Sequence, residues 1–389
     1  MKTLNNETER ILKEIHTTMN DDIYRPGLEG VIAGETTISA ITDGLRYRGY
    51  SIEDLAANTS FEEVAYLILH GDLPNADQFN QFRQRLSAAS VDDQILNIIA
   101  QLPNGTPLMD VLRTGTSLLS HWEPEVADNR RDANLNKSER LLSQLPILLA
   151  ARYRYEQGLS AIPPDSEKSL AENLLLMLHG ETPDPSHVRA MDISLILYAE
   201  HEYNASTFTS RVVCSTLSDM HSSITAAIGA LKGPLHGGAN ERVMEVLEDV
   251  GSPDRAESWV RDALARKVRI MGFGHRVYKT GDPRAQLLKN WCVQLATTKH
   301  HRDMEQMADI IEQAVTGEKG LPPNLDWPSA RLYHYMGLPV PLYTPLFVLS
   351  RVVGWAAHVI EQLDNNRLIR PRSRYTGPDH RDVISLSER

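Results

Sequence analysis

The stretch Ala190–Asn240, AMDISLILYAEHEYNASTFTSRVVCSTLSDMHSSITAAIGALKGPLHGGAN, decides what kind of chain this is. Its apolar residues recur at helical rather than alternating spacing, and on more than one face, so part of it belongs inside a helical core. The stretch then ends on His236, enclosed by Gly233, Pro234, Gly237 and Gly238. Proline stops a helix, and glycine reaches backbone angles that other residues avoid. A lone histidine in such a loop can be structural or catalytic, and the rest of the chain has to choose.

Outward from this stretch the same period continues. Helix-period segments include ADQFNQFRQRLSA, DDQILNIIAQL, SERLLSQLPILLAARYRYEQ and SEKSLAENLLLMLHG before it, and ERVMEVLEDV, ESWVRDALARKV and MEQMADIIEQAV after it. Ser51 is placed to cap SIEDLAAN, and Ser60 with Glu63 forms a capping box ahead of FEEVAYLILH. Thr37 to Tyr50 carries β-branched and turn residues and reads as a short hairpin or extended stretch. The tail from Arg367 is punctuated by prolines and reads as extended. The class is all-α with minor β near the N-terminus, and no internal repeat or low-complexity linker is present.

A chain of 389 residues with 41% apolar and 23% charged residues has an ordinary globular composition, long enough for two domains. A net charge of −11 lacks the basic footprint of a nucleic-acid binder. The start is polar, without the apolar core of a signal peptide, and the most apolar stretch, VPLYTPLFVLSRVVGWAAHVI, is broken by Pro341, Pro345, Arg351 and His358. No membrane association is therefore expected. Cys214 and Cys292 are the only two cysteines and both sit in apolar helical segments, so the expected compartment is reducing, most simply the cytoplasm.

Three polar islands interrupt the helices: GPLHGGAN, then MGFGHRVYKTGDPRA (Met271–Ala285), then LPPNLDWPSA (Leu321–Ala330). Each holds one titratable residue in a turn bounded by glycine or proline, namely His236, His275 and Asp326, and such loops on a helical scaffold concentrate function. Arg351 lies inside an apolar helix, where a guanidinium is costly unless paired. It is either half of a buried ion pair or a fork for a small carboxylate. Arg284 and Arg370 also stand beside prolines. His201, in AEHEYNAS, is either satisfied by a neighbouring carboxylate or part of a site. No recognised metal-ligand spacing is present, and the adjacent His300 and His301 point in different directions on a helix, so no metal is expected. Gly272-Phe273-Gly274 is not a dinucleotide fingerprint, and neither a P-loop nor a nucleophile elbow occurs.

Together KGPLHGGANE, MGFGHRVYKTGDPRA, PPNLDWPSA, GWAAHVIEQ and LIRPRSRYTGP resemble the motifs of the citrate synthase family, including its 2-methylcitrate synthase branch. YRGYSIEDL and AEHEYNASTFTSRV are similar to the family as well, and the resemblance runs in order from about Gly27 to the C-terminus. It is closest in kind to the shorter, dimeric, type II-like members. The resemblance implies an almost wholly helical fold with a large domain, 1–236 and 338–389, and a small inserted domain, 237–337. It implies a homodimer whose substrates are oxaloacetate and an acyl-CoA, with no separate cofactor. Asp326 would be the base, His236 the donor to the thioester oxygen, and His275 the acid at the ketone. His201, Arg284, Arg351 and Arg370 would hold oxaloacetate, Arg370 from the partner subunit. Met271, Gly272, Phe273, Gly274, Arg276 and Lys279 would receive CoA.

The resemblance leaves the acyl group between two. HGDLP and NNRLIRPR resemble citrate synthases, whereas PLMDVLRTG, NLDWPSA and TPLFV resemble 2-methylcitrate synthases, which use propionyl-CoA. One methylene in an apolar pocket is worth only about 1–3 kcal/mol. Acetyl-CoA is the favoured reading, with propionyl-CoA or dual use as the alternative. A helical binding protein without activity would be expected to lack one of the three catalytic positions, and all three are present.

Overall fold

The computed structural model describes residues 24–42, 44–275, 277–278 and 281–389. Thr36–Ile369 form one compact unit; the described residues before Thr36 form a second with Arg370–Arg389. In the second unit the Arg374 guanidinium lies 5.3 Å from the Tyr24 ring centre, and 3-10 turns occur at Pro26–Leu28 and Leu386–Glu388.

Within Thr36–Ile369 a three-stranded antiparallel sheet comes first: β1 (Ser39–Ala40), β2 (Arg46–Tyr47) and β3 (Tyr50–Ser51). Ser39 pairs with Tyr47, and Tyr47 with Tyr50. Helices follow. α1 (Ile52–Asn58) is capped by Ser51, whose hydroxyl accepts from the Asp54 N–H at 3.1 Å. α2 (Phe61–His70) starts on the Ser60–Glu63 capping box, as its sequence predicts. α3 (Ala76–Ala88) uses the equivalent Asn75–Gln78 pair. Each such cap satisfies main-chain donors that the first helical turn leaves open.

α4 (Asp93–Ala100), α5 (Leu108–Leu119), α6 (Arg131–Glu156), α7 (Leu170–His179) and α8 (Pro185–Tyr198) complete the first half. α9 (Ala205–Cys214), α10 (Met220–Leu231), α11 (Ala239–Val250), α12 (Pro253–Ala265), α13 (Pro283–Leu295), α14 (Lys299–Lys319), α15 (Asp326–Tyr335) and α16 (Tyr343–Asp364) make the second. Both cysteines are free and buried, in α9 and α13.

α16 organises the core. It packs against α2, α6, α8, α9 and α10, and residues Tyr343 through Ile360 are all buried. Each fully buried Leu, Val or Phe side chain contributes about 1.5–3 kcal/mol relative to exposure. By length and composition Val340–Asp364 could cross a membrane, contrary to the sequence expectation; Pro341 and Pro345 sit at the start, where proline is tolerated, and do not break it. In the fold 89% of its apolar window is buried inside the protein, so it is a core helix. A second difference concerns Asp326. The sequence places it in a loop, yet it is the first residue of α15, with Pro328 accommodated in the first turn.

Candidate active site

Each polar island is a loop that hands over to a helix, and three of these loops meet. α8 ends at Tyr198, and Asn204 restarts the chain as α9 by accepting from the Thr207 N–H at 3.1 Å. The turn after α10 carries His236 into α11. Gly237 is obligatory there: its N–H donates to the Leu231 carbonyl at 3.0 Å, and a Cβ would stand 2.4 Å from that oxygen. Asp282 caps α13 at Arg284, and α15 opens on Asp326.

The result is a cavity of about 400 Å³. Its wall includes His201, His236, His275, Arg284, Asp326 and Arg351, six residues that the sequence singled out. Met271 and Gly274 also line it. Gly272 and Phe273 turn away, and both are buried. Phe273 packs on Trp327 at 4.6 Å between ring centres, and a Cβ on Gly272, whose φ is +86°, would meet that indole at 2.9 Å. Arg276 and Lys279 lie outside the described residues. Arg370 belongs to the other unit and is exposed in it.

His236 has its proton placed by its neighbours. The Ser206 main-chain N–H, in the first turn of α9, donates to Nε2 at 3.2 Å, and Ser206 Oγ lies 2.8 Å from the same nitrogen. A main-chain N–H can only donate, so the proton of the neutral ring sits on Nδ1. Burial first, and then the Arg351 charge, push the imidazole down to about 4. These two causes hold it neutral.

At His275 the assignment is reversed. Its Nδ1 accepts from the Val277 and Tyr278 N–H groups at 3.0 and 3.2 Å, leaving Nε2 as the donor. The His201 ring lies 5.2 Å from that of His275, and its Nε2 is 3.1 Å from Tyr278 Oη. Burial, and the charges of Arg284 and Arg351, hold His201 well below the usual histidine range.

The two arginines differ in a way that matters. Burial works against the charge of Arg284, but Asp282 more than offsets it and raises its pKa: Asp282 accepts from Nε at 2.9 Å and from Nη2 at 2.8 Å. Arg351 is 2% exposed and has no ion pair among the described residues. Its Nε donates to the Tyr198 carbonyl at 2.7 Å, and its guanidinium lies 4.7 Å from the Phe347 ring centre. Burial pushes it down to about 10, although Glu200 and Tyr47 oppose the shift. The buried ion pair is therefore not its explanation.

Asp326 is raised to about 6 by burial, against the hydrogen bond from Tyr198 and the charges of Arg284 and Arg351. That is the working range of a general base. Sequence reasoning missed Tyr198, Asp282, Phe347 and Arg269, all on the cavity wall. Asp282 carried a signal, an acid two residues before an arginine at a helix start. Tyr198 carried none, being one more aromatic residue at the end of an apolar helix. The arrangement pairs a raised carboxylate with two oppositely tautomerised histidines and a set of cationic forks, which is equipment for removing a carbon-bound proton beside a carbonyl and binding a polyanion.

Comparison with known proteins gives the family. Residues 27–372 match the family described as citrate synthase, C-terminal domain. The chain is 48% identical over 367 residues to citrate synthase 2 of Bacillus subtilis, covering 93% of this chain and 98% of that one. It is 46% identical over 374 residues to 2-methylcitrate synthase 2 of Corynebacterium glutamicum, covering 94% and 98%. The solved structure of the Thermoplasma acidophilum citrate synthase in ternary complex with carboxymethyl coenzyme A and oxaloacetate superposes with a TM-score of 0.88 at 36% identity, covering 94% of this chain and 99% of that one. By sequence and by fold, this chain belongs to the citrate synthase family.

Proposed function

We propose that the cavity condenses an acyl-CoA with oxaloacetate and hydrolyses the resulting thioester, with acetyl-CoA as the favoured acyl donor and citrate and CoA as products. The observation that carries the reading is Arg351: a buried guanidinium in no ion pair among the described residues, beside Arg284 and His201, calls for a dianion. The Asp326 carboxylate takes the α-proton of the acyl group. The enolate oxygen is met by the Nδ1–H of neutral His236. The enolate carbon then forms the C–C bond to the oxaloacetate ketone carbon, whose oxygen takes a proton from His275 Nε2. Water adds to the thioester carbonyl, and CoA leaves as the thiol.

In this reading residues 237–337 are a small domain that closes over bound oxaloacetate, because an enolate and its thioester must be kept from water. Met271 and Gly274, with Arg276 and Lys279, receive CoA, and the exposed Arg269 on the cavity wall is a further cation for its phosphates. The protein acts as a cytoplasmic homodimer in which Arg370 completes the partner's site.

Propionyl-CoA is the second reading, favoured by the near-equal identity to proteins named for citrate and for 2-methylcitrate synthesis. Free-thiol release with oxaloacetate and each acyl-CoA separates the two. A larger kcat/KM for propionyl-CoA reverses the preference, and no thiol release with either ends the proposal.

A further inference from the structure

The residue before His201 is Glu200, a fully buried carboxylate that no step of the proposed reaction uses. Its main chain and its side chain are both pinned. Tyr47 Oη, on β2, donates to the Glu200 carbonyl at 3.0 Å and accepts from its N–H at 3.2 Å. Ser39 Oγ, on β1, donates to Oε1 at 3.0 Å, and His358 Nε2, on α16, lies 2.9 Å from the same oxygen. On its other side His358 Nδ1 accepts from Arg211 Nε, on α9, at 2.9 Å. A guanidinium can only donate, so the His358 ring is neutral, with its proton on Nε2 facing Glu200. Burial works against the Glu200 charge, yet His358, then Arg351 and Ser39, outweigh it and hold the group below the usual carboxylate range.

The other oxygen, Oε2, has no hydrogen-bond partner among the described residues. It lies against Gly354, where a Cβ would collide with it and with the Ala199 carbonyl. Gly354 stands about one helical turn past Arg351 on α16, so the glycine lets an anion approach the stretch of helix that carries the guanidinium. Burial lowers Arg351, and Glu200 is the largest charge opposing it. Tyr47 and Tyr198 add smaller influences of the same sign, and Arg284 one of the opposite sign. His201, His236 and Asp326 each feel Arg351 as well. Asp326 is the only other carboxylate in this group, and as the proposed base it must stay free for the acyl chain.

Arg351 itself lines the main cavity, and its one hydrogen bond among the described residues is from Nε to the Tyr198 carbonyl. We infer that Glu200 is a positioning residue for the anionic substrate: it balances the Arg351 charge from out of contact and so leaves both Nη groups free to grip a carboxylate. A direct ion pair would occupy that fork, as Asp282 occupies Nε and Nη2 of Arg284. The charge balance is a property of the empty protein; its use rests on the proposed role of Arg351 in oxaloacetate binding.

Two measurements on the full-length protein test this. The first needs no substrate: denaturant melts of wild type, Glu200→Gln, Arg351→Met and the double variant. Glutamine keeps an acceptor for Ser39 and His358 and removes the charge. Glu200→Gln should cost the wild-type protein clearly more stability than it costs Arg351→Met, and folding of Glu200→Gln only in company with Arg351→Met is the extreme of the same result. An equal or smaller cost in the wild-type background, or failure to fold in both, makes Glu200 structural and overturns the inference.

The second measurement is the alkaline limb of kcat/KM for oxaloacetate. Arg351 loses its charge at about 10, so the limb falls there in the wild type. In Glu200→Gln it should fall about one pH unit or more lower, while Glu200→Asp, which keeps the charge and loses the reach, leaves it in place. A limb unmoved in Glu200→Gln, or moved equally in Glu200→Asp, overturns the link to substrate binding. Absence of turnover in the wild type would instead count against the proposed function and leave the melts to decide the charge balance.

Discussion

Tyr198 donates a hydrogen bond of 2.8 Å to Oδ1 of Asp326 across 128 residues of chain. The same hydroxyl lies 2.8 Å from Ser329 Oγ, and the tyrosine ring packs edge-on against Phe347 at 4.6 Å. Burial alone would drive the carboxylate towards its neutral form; this donor opposes that and leaves Asp326 at about 6. A base poised there is ionised at neutral pH yet still basic enough to take a proton from carbon.

Removing the donor should therefore move the base. In Tyr198→Phe the Asp326 pKa rises, and the acidic limb of the kcat/KM profile shifts upward from about 6. A hydrogen bond to a charged group contributes about 1.5–3 kcal/mol, which corresponds to about one to two pH units. The loss of activity should be largest near the limb and shrink above it. A limb left in place would show that Tyr198 does not set the base.

The stability of the protein should carry the signatures of Asp326 and His236 with opposite signs. The fold holds the Asp326 proton more tightly than the unfolded chain does, about 6 against 3.8, so this group loses stability as pH rises between those values and carries the full cost above them. Asp326→Asn should stabilise the protein at neutral pH by about 2–3 kcal/mol while abolishing turnover and sparing oxaloacetate binding. His236 is lowered from 6.5 to about 4, so the unfolded chain takes its proton first and stability is lost as pH falls through that window. His236→Gln should flatten this acid loss. Denaturant melts from neutral pH down to about 4 test both, and parallel curves for the two variants would contradict the assigned shifts.

Most of the helical architecture was readable because caps and periodicity are local. Ser60–Glu63 and the α2 apolar face lie within a few residues of one another, and both form as written. The relations that set the chemistry are not local. Tyr198 reaches Asp326, and Arg351 reaches the Tyr198 carbonyl, only after α8, α15 and α16 have packed. No spacing rule encodes such contacts, so the sequence marked the residues at the cavity but not what holds each in its protonation state. The reading of α16 shows the reverse case. The sequence reads Pro345 as a break, yet at the third helical position its missing N–H costs nothing, and the helix runs on to Asp364.

Arg351 offers a test that separates function from stability. Its guanidinium is desolvated and unpaired among the described residues, and burial pulls it down to about 10, so its presence costs the empty protein free energy. Arg351→Met keeps much of the volume and removes the charge. The melting temperature should stay level or rise, while the KM for oxaloacetate climbs about a hundredfold, the equivalent of a lost charge-assisted bond of about 3 kcal/mol. An unchanged KM would remove Arg351 from the substrate site, and a large fall in melting temperature would make it structural.

The proposed crossing of Arg370 between subunits can be decided by mixing two inactive proteins. His236→Gln removes the thioester-oxygen donor, and Arg370→Leu removes the donated guanidinium. In a mixed dimer with a crossing arginine, the subunit with intact His236 receives the intact Arg370 of its partner, so one of the two sites is whole. Random exchange makes half of the dimers mixed, so about a quarter of the wild-type activity should return. If Arg370 serves its own subunit, every site in the mixture carries one defect and nothing returns. Each variant is first assayed alone after the same unfolding and refolding. If either alone keeps wild-type activity, that residue has no part in the reaction. If both are inactive alone, the return of activity in the mixture follows from a shared site, because no single homodimer could supply it.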